Sequence, residues 1–170
     1  ADIFCGICAA VDAAHRKRLL HRDLKPENIF LVHTDGAEIA KILDFGIAKP
    51  LVPANSDSNP DHTGPGLLLG TLKYMSPEQL RGEEATESWD LWALAVVAYE
   101  MLAGTHPFAG SNASAVQNAI LAGRMIPLRT YLPQTPSVWQ SFFDQAFSAR
   151  LELRPASAMQ LLSEFNRTFR

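Results

Sequence analysis

His21-Arg22-Asp23-Leu24-Lys25-Pro26-Glu27-Asn28, followed by Asp44-Phe45-Gly46, is the stretch that decides how this chain reads. It sets a carboxylate (Asp23), an ammonium (Lys25), an amide (Asn28) and a second carboxylate (Asp44) in one short run. Asp23 can accept or orient a hydroxyl proton, and Lys25 can offset negative charge that builds on a transferred group. Asn28 and Asp44 offer hard oxygen ligands of the kind Mg²⁺ prefers, because that ion gives up its water reluctantly. Transfer of a phosphoryl group from a magnesium nucleotide draws on this set. Taken singly, each residue also suits a turn or a helix cap, but the agreement of the whole run disfavours that. Residues 29–32 and 39–43 are apolar and β-branched, and Asp35-Gly36 lies between them, which predicts a β-hairpin. Asn28 then precedes one strand and Asp44 follows the other. Both meet at one end of a rigid two-strand unit, with Asp23 reaching over from the loop before it.

Residues 21–28 and 44–46 match the catalytic-loop and D-F-G motifs of protein kinases, and the chain resembles the large lobe of that family. GTLKYMSPEQ at 70–79 resembles the end of a kinase activation segment, with Ser76-Pro77-Glu78 where A-P-E is usual. SWDLWALAVVAYEMLAGTHPF at 88–108 is similar to the long central helix of the lobe, and LELRP at 151–155 to a late arginine-proline signature. The wording DFGIAK and YMSPEQLRG is similar to bacterial eukaryotic-like Ser/Thr kinases. Lys25, two places after Asp23, points to the Ser/Thr branch rather than the Tyr branch.

The resemblance implies an α+β fold, a mainly helical large lobe with a short β-hairpin. It sets the catalytic loop at 21–28, the activation segment at 44–78 and a helical subdomain at 88–170. It implies transfer of the γ-phosphoryl of ATP to a Ser or Thr hydroxyl of a protein substrate, with Mg²⁺ (or Mn²⁺) as cofactor. By the same resemblance Asp23 is the catalytic base, Lys25 a phosphate contact, and Asn28 and Asp44 the ATP-linked metal ligands. Thr71 would position substrate beside Asp23 and Lys25. Arg22 would hold a phosphorylated loop residue, with Ser56, Ser58 and Thr63 as candidates, because a guanidinium chelates phosphate bidentately. His21 and Phe45 would pack in a column that couples the lobes, a structural role. Asp90 would receive catalytic-loop N–H groups near His21 and Arg22, a plain helix cap being the alternative. Glu78 and Arg154 would form a buried ion pair. Residues 67–69, three leucines, would line the surface that meets the substrate peptide, with disorder or plain packing as the alternatives.

The small-lobe features of the family have no counterpart here. No G-x-G-x-x-G and no V-A-I-K-like strand occurs, and Lys17, Lys25, Lys41, Lys49 and Lys73 all stand in other contexts. The expectation is an N-terminally truncated large lobe, nearly inactive alone, whose parent supplies the missing small lobe. The second reading is a non-catalytic kinase-like interaction module. A small-molecule phosphotransferase is disfavoured by the 70–79 segment and by Arg154-Pro155.

Composition sets the outer bounds. A chain of 170 residues, 47% hydrophobic, can bury one ordinary core. A net charge of −3 leaves no electrostatic footprint for nucleic acid. The basic run His15-Arg16-Lys17-Arg18 reads as cations at the carbonyl end of a first helix. Cys5 and Cys8 form a C-x-x-C with no second pair to complete a zinc site, so they read as core residues in a reducing, cytoplasmic setting. The apolar stretch 91–99 is too short for a membrane span of about twenty residues, which leaves open an anchor elsewhere in a longer parent. Helices are predicted over 2–16, near 77–81, over 88–103 with Gly104 as cap, from about 111, and over 137–148 and 156–168. A short strand is predicted around Leu19 and Leu20. Residues 50–66 read as a loop. Ala93 and Ala95 stand where the family has serine and glycine, and Trp89 and Trp92 add bulk, so packing around that helix is in question.

Overall fold

A computed structural model describes residues 2–34, 37–44 and 72–169. Phe45, Ser56, Ser58, Thr63, Thr71 and residues 67–69 lie outside the described residues, as does the Asp35-Gly36 turn. The elements are α1 (Asp2–His15), β1 (Ile29–Thr34), β2 (Ala37–Ile42), α2 (Pro77–Leu80), α3 (Glu87–Ala103), α4 (Ala113–Leu121), α5 (Ser137–Ala146) and α6 (Ala158–Thr168). The described chain is therefore mainly helical, with β1 and β2 paired antiparallel from Ile29 opposite Ile42 to Thr34 opposite Ala37.

Helix α3 is the axis. Every residue from Trp89 to Tyr99 is buried, so this helix has no solvent face over that span and the other elements close around it. Gly104 ends it in the left-handed region (φ 68°), where glycine pays no Cβ penalty, and its N–H closes the last turn on the Glu100 carbonyl. Ala93 and Ala95 are both buried without displacing the helix, and Trp92 stacks on Phe108 with ring centroids 5.5 Å apart. Helix α1 lies against β2, where Gly6 faces Ala40, and against α6, where the Phe4 and Phe165 rings are 4.6 Å apart. Ser76 earns its place in local structure: its hydroxyl caps α2 by accepting the Gln79 N–H at 3.2 Å, which alanine cannot do. Among the described residues no helix is long and apolar enough to cross a membrane.

The expected short strand at Leu19 and Leu20 is absent. The chain leaves α1 through a turn with Arg18 at φ 59°, Leu19 donates its N–H back to Ala14, and among the described residues no strand pairs with it. The two cysteines also part company. Cys8 is buried, and burial pushes its thiol pKa well up, but Cys5 is exposed. A separation of three places rotates the second cysteine inward and leaves the first at the rim of the same helix.

Candidate active site

The loop 21–28 is fastened from behind by a single carboxylate. Asp90, in the first turn of α3, is 1% exposed. Its Oδ2 accepts the His21 N–H at 2.8 Å and its Oδ1 the Arg22 N–H at 2.8 Å. His15 Nε2 donates to Oδ2 at 2.7 Å. A buried carboxylate is costly without such partners, and this one has three. His15 lies in the last turn of α1 as the sequence reading has it, but it is buried and bound to Asp90, a role that reading did not include. It continues the buried stripe Phe4, Cys8, Val11 along one side of α1, a spacing that was available in the sequence.

The front of the loop carries the chemistry-bearing groups. Lys25 Nζ donates to both Asp23 oxygens, at 3.3 and 3.1 Å, and both side chains are partly open to solvent. Asn28 Nδ2 donates to the Asp23 carbonyl at 2.8 Å, which leaves Oδ1 as the Asn28 atom able to serve a cation. The Leu43 N–H donates to the Asn28 carbonyl, bringing the end of β2 beside the start of β1. Asp44 follows, exposed and left-handed (φ 61°), a conformation that aspartate tolerates better than most residues. His21 joins the two parts: its Nε2–H donates to the Leu43 carbonyl at 2.8 Å, and its Nδ1 accepts the Asp23 N–H at 3.3 Å. Those bonds define the tautomer and tie Asp23 to the base of Asp44. The hairpin therefore gathers Asp23, Lys25, Asn28 and Asp44 at one end.

Among the described residues no three His, Cys, Asp or Glu side chains gather into a ready-made metal cage. Asn28 Oδ1 and the Asp44 carboxylate make a sparse, all-oxygen donor set. It fits Mg²⁺, which is commonly held by one or two carboxylates, substrate phosphates and water.

Farther from this edge, Glu78 and Arg154 form a bidentate pair at 2.7 and 3.2 Å. Ser88 donates to the same carboxylate, Arg154 Nε donates to the Ser148 carbonyl, and the guanidinium lies 4.8 Å from the centre of the Trp92 ring. Burial opposes ionisation of Glu78, but the hydrogen bonds and charge of Arg154 outweigh it and hold the carboxyl below its ordinary range. A further set went unread in the sequence. Tyr74 donates to Glu100 at 2.8 Å, while His106 Nε2 donates to the Lys73 carbonyl and its Nδ1 accepts the Phe108 N–H. Burial raises the Glu100 pKa, more than its Tyr74 bond and Lys73 lower it, and lowers that of His106. These residues fix Leu72–Met75 against the end of α3, but no local pattern announces partners so far apart.

The protein kinase domain family matches residues 1–165. This chain belongs to the protein kinase family. It is similar to a probable serine/threonine-protein kinase PknB of Bifidobacterium longum, 34% identical over 163 residues, 96% of this chain and 23% of the relative. It is also similar to the serine/threonine-protein kinase Pkn1 of Myxococcus xanthus, 44% identical over 108 residues, 63% of this chain and 15% of the relative. A tyrosine-protein kinase of Myxococcus xanthus, MasK, is 35% identical over 147 residues, 86% of this chain and 21% of the relative. The chain spans less than a quarter of the length of these relatives.

Proposed function

We propose that residues 1–170 are the large lobe of a Ser/Thr protein kinase that moves the γ-phosphoryl of Mg-ATP to a protein hydroxyl. The observation that carries the reading is the meeting of Asp23, Lys25, Asn28 and Asp44 at one end of the hairpin, on a loop held from behind by Asp90. In this reading Asp23 orients the acceptor hydroxyl and takes up its proton. Lys25, already within reach of Asp23, stays beside it and offsets charge on the phosphoryl group as it moves. Asn28 Oδ1 and the Asp44 carboxylate would hold the magnesium of Mg-ATP, whose charge would neutralise the phosphate oxygens. Phe30, Leu31, Ile39 and Leu43 are exposed around the hairpin. We read this apolar surface as the seat of the nucleotide base and of a small lobe carried elsewhere in the same protein. Thr71 positions substrate, and Arg22 takes a phosphate borne by Ser56, Ser58 or Thr63. Resemblance to the named Ser/Thr kinases favours a Ser or Thr acceptor, and the similarity to MasK makes tyrosine the alternative to test.

The test is transfer of labelled phosphate from Mg-ATP to casein by the full-length protein that carries this chain, followed by phosphoamino-acid analysis. Label on serine or threonine that disappears in Asp23→Asn supports the proposal. Mg-ATP binding with no transfer would favour the non-catalytic interaction module. The isolated chain should show negligible turnover in the same assay, and Asp23-dependent transfer by residues 1–170 alone would contradict that.

A further inference from the structure

Arg22 is held at both of its backbone polar groups. It sits in the left-handed region (φ 66°), a conformation that a long side chain adopts only under constraint. Its N–H goes to Asp90, and its carbonyl accepts from Gln79 Nε2 at 3.1 Å. Gln79 is only 6% exposed, and its own N–H is fixed by the Ser76 hydroxyl, so the amide is aimed by packing and by the cap of α2. The Arg22 carbonyl and the Asp23 N–H belong to one planar peptide. Gln79 grips one side of that plane, and His21 Nδ1 takes the other at 3.3 Å. A void of about 10 Å³ bordered by Arg22, Asp23 and Gln79 has room for no more than about one water molecule. Solvent therefore has little space in which to replace the amide.

We propose that Gln79 is a positioning residue that fixes the Arg22–Asp23 peptide and, through it, the direction of the Asp23 carboxylate. The proposal rests on the kinase reading above. It also makes the end of the activation segment a direct control on the base. Any movement of Ser76–Leu80 that withdraws Gln79 frees the Arg22 carbonyl and lets the peptide swing, with no phosphate contact needed.

The experiment uses the full-length protein with Mg-ATP and casein and compares Gln79→Met with Gln79→Glu. Methionine keeps the length and loses the donor. Glutamate keeps the shape; ionised, it repels the carbonyl, and protonated, it donates an O–H to it. Gln79→Met should lower kcat by about ten- to a hundredfold, as expected when a buried acceptor is orphaned beside the reacting group. The KM for Mg-ATP should stay within about twofold. Gln79→Glu should be equally poor near about pH 8 and recover relative to wild type toward about pH 6, since burial and the facing carbonyl raise its carboxyl pKa. Amide hydrogen exchange at Asp23 should speed up in Gln79→Met while exchange in the core of α3 stays slow. Wild-type kcat in Gln79→Met, a Gln79→Glu ratio flat with pH, or unchanged exchange at Asp23 would each overturn the proposal. If Gln79→Met does not fold, the Gln79→Glu pH ratio decides alone. Absence of transfer by the wild type is a different failure: it removes the kinase reading, and the positioning role of Gln79 with it.

Discussion

Glu78 with Arg154 and Asp23 with Lys25 are both carboxylate–cation pairs, yet they stand in opposite settings. The first is 2.7 Å long, its side chains are 5% and 4% exposed, and Ser88, the Ser148 carbonyl and Trp92 complete its surroundings. The second is 3.1 Å long, with side chains 17% and 13% exposed at the open end of the hairpin. A charge pair closed off by its own fold has no capacity left for a substrate, whereas a looser and wetter pair can exchange partners during a reaction. In the proposed function the same chemistry thus serves stability in one place and turnover in the other. Asp90 belongs with the closed pair, since its oxygens are spent on holding the loop.

The contrast can be broken by mutation. The largest effect should come from Asp23→Asn, which should lower kcat by about 10²- to 10⁴-fold with little change in melting temperature. A large fall in melting temperature would show that the open pair is structural too. Arg154→Ala should do the reverse. Leaving Glu78 charged and unpaired in the core should cost about 3–5 kcal/mol in denaturant unfolding, with activity per folded molecule largely kept.

Acid sharpens the comparison further. The Glu78 carboxyl is held below its ordinary 4.5 in the folded chain, so folding releases a proton as pH passes between the two values. Its stabilisation is fully present above the unfolded value and is lost as pH falls through the lower, folded one. Unfolding free energy measured between about pH 3 and 7 should lose part of its acid slope in Glu78→Gln. His106 adds a slope of the same sign at higher pH. Its folded pKa lies below the ordinary 6.5, so stability falls as pH drops below that value, and His106→Asn should flatten this portion. The smallest effect belongs to Asn112, whose side chain caps α4 at 2.9 Å away from both pairs. Asn112→Ala should cost about 1 kcal/mol in stability and leave kcat unchanged.

Much of this arrangement was readable from the sequence because it rests on local rules. Two apolar, β-branched runs around Asp35-Gly36 placed the hairpin, apolar spacing and Gly104 placed α3, and the motif run marked Asp23, Lys25, Asn28 and Asp44 as neighbours. What escaped were contacts made by residues whose local setting offered a simpler account. His15 sits among basic residues at a helix end, so the dipole explained it until Asp90 arrived from far along the chain. Gln79 looks like an ordinary polar residue of a short helix, and only the fold carries its amide to the Arg22 carbonyl. Leu19 and Leu20 suggested a strand because their side chains suit one, but a strand also needs a neighbour, and none lies there among the described residues.

The buried helix α3 also acts as a ruler. Asp90 near its start grips the 21–28 loop, and Glu100 near its end receives Tyr74. At 1.5 Å per residue the two carboxylates are staggered by about 15 Å along the axis and lie about 80° apart around it. Inserting or deleting one residue between them would rotate everything beyond by about 100° and turn one grip away from its target. Length variation among descendants of this sequence should therefore be confined to the connections outside residues 90–100, however freely those connections drift.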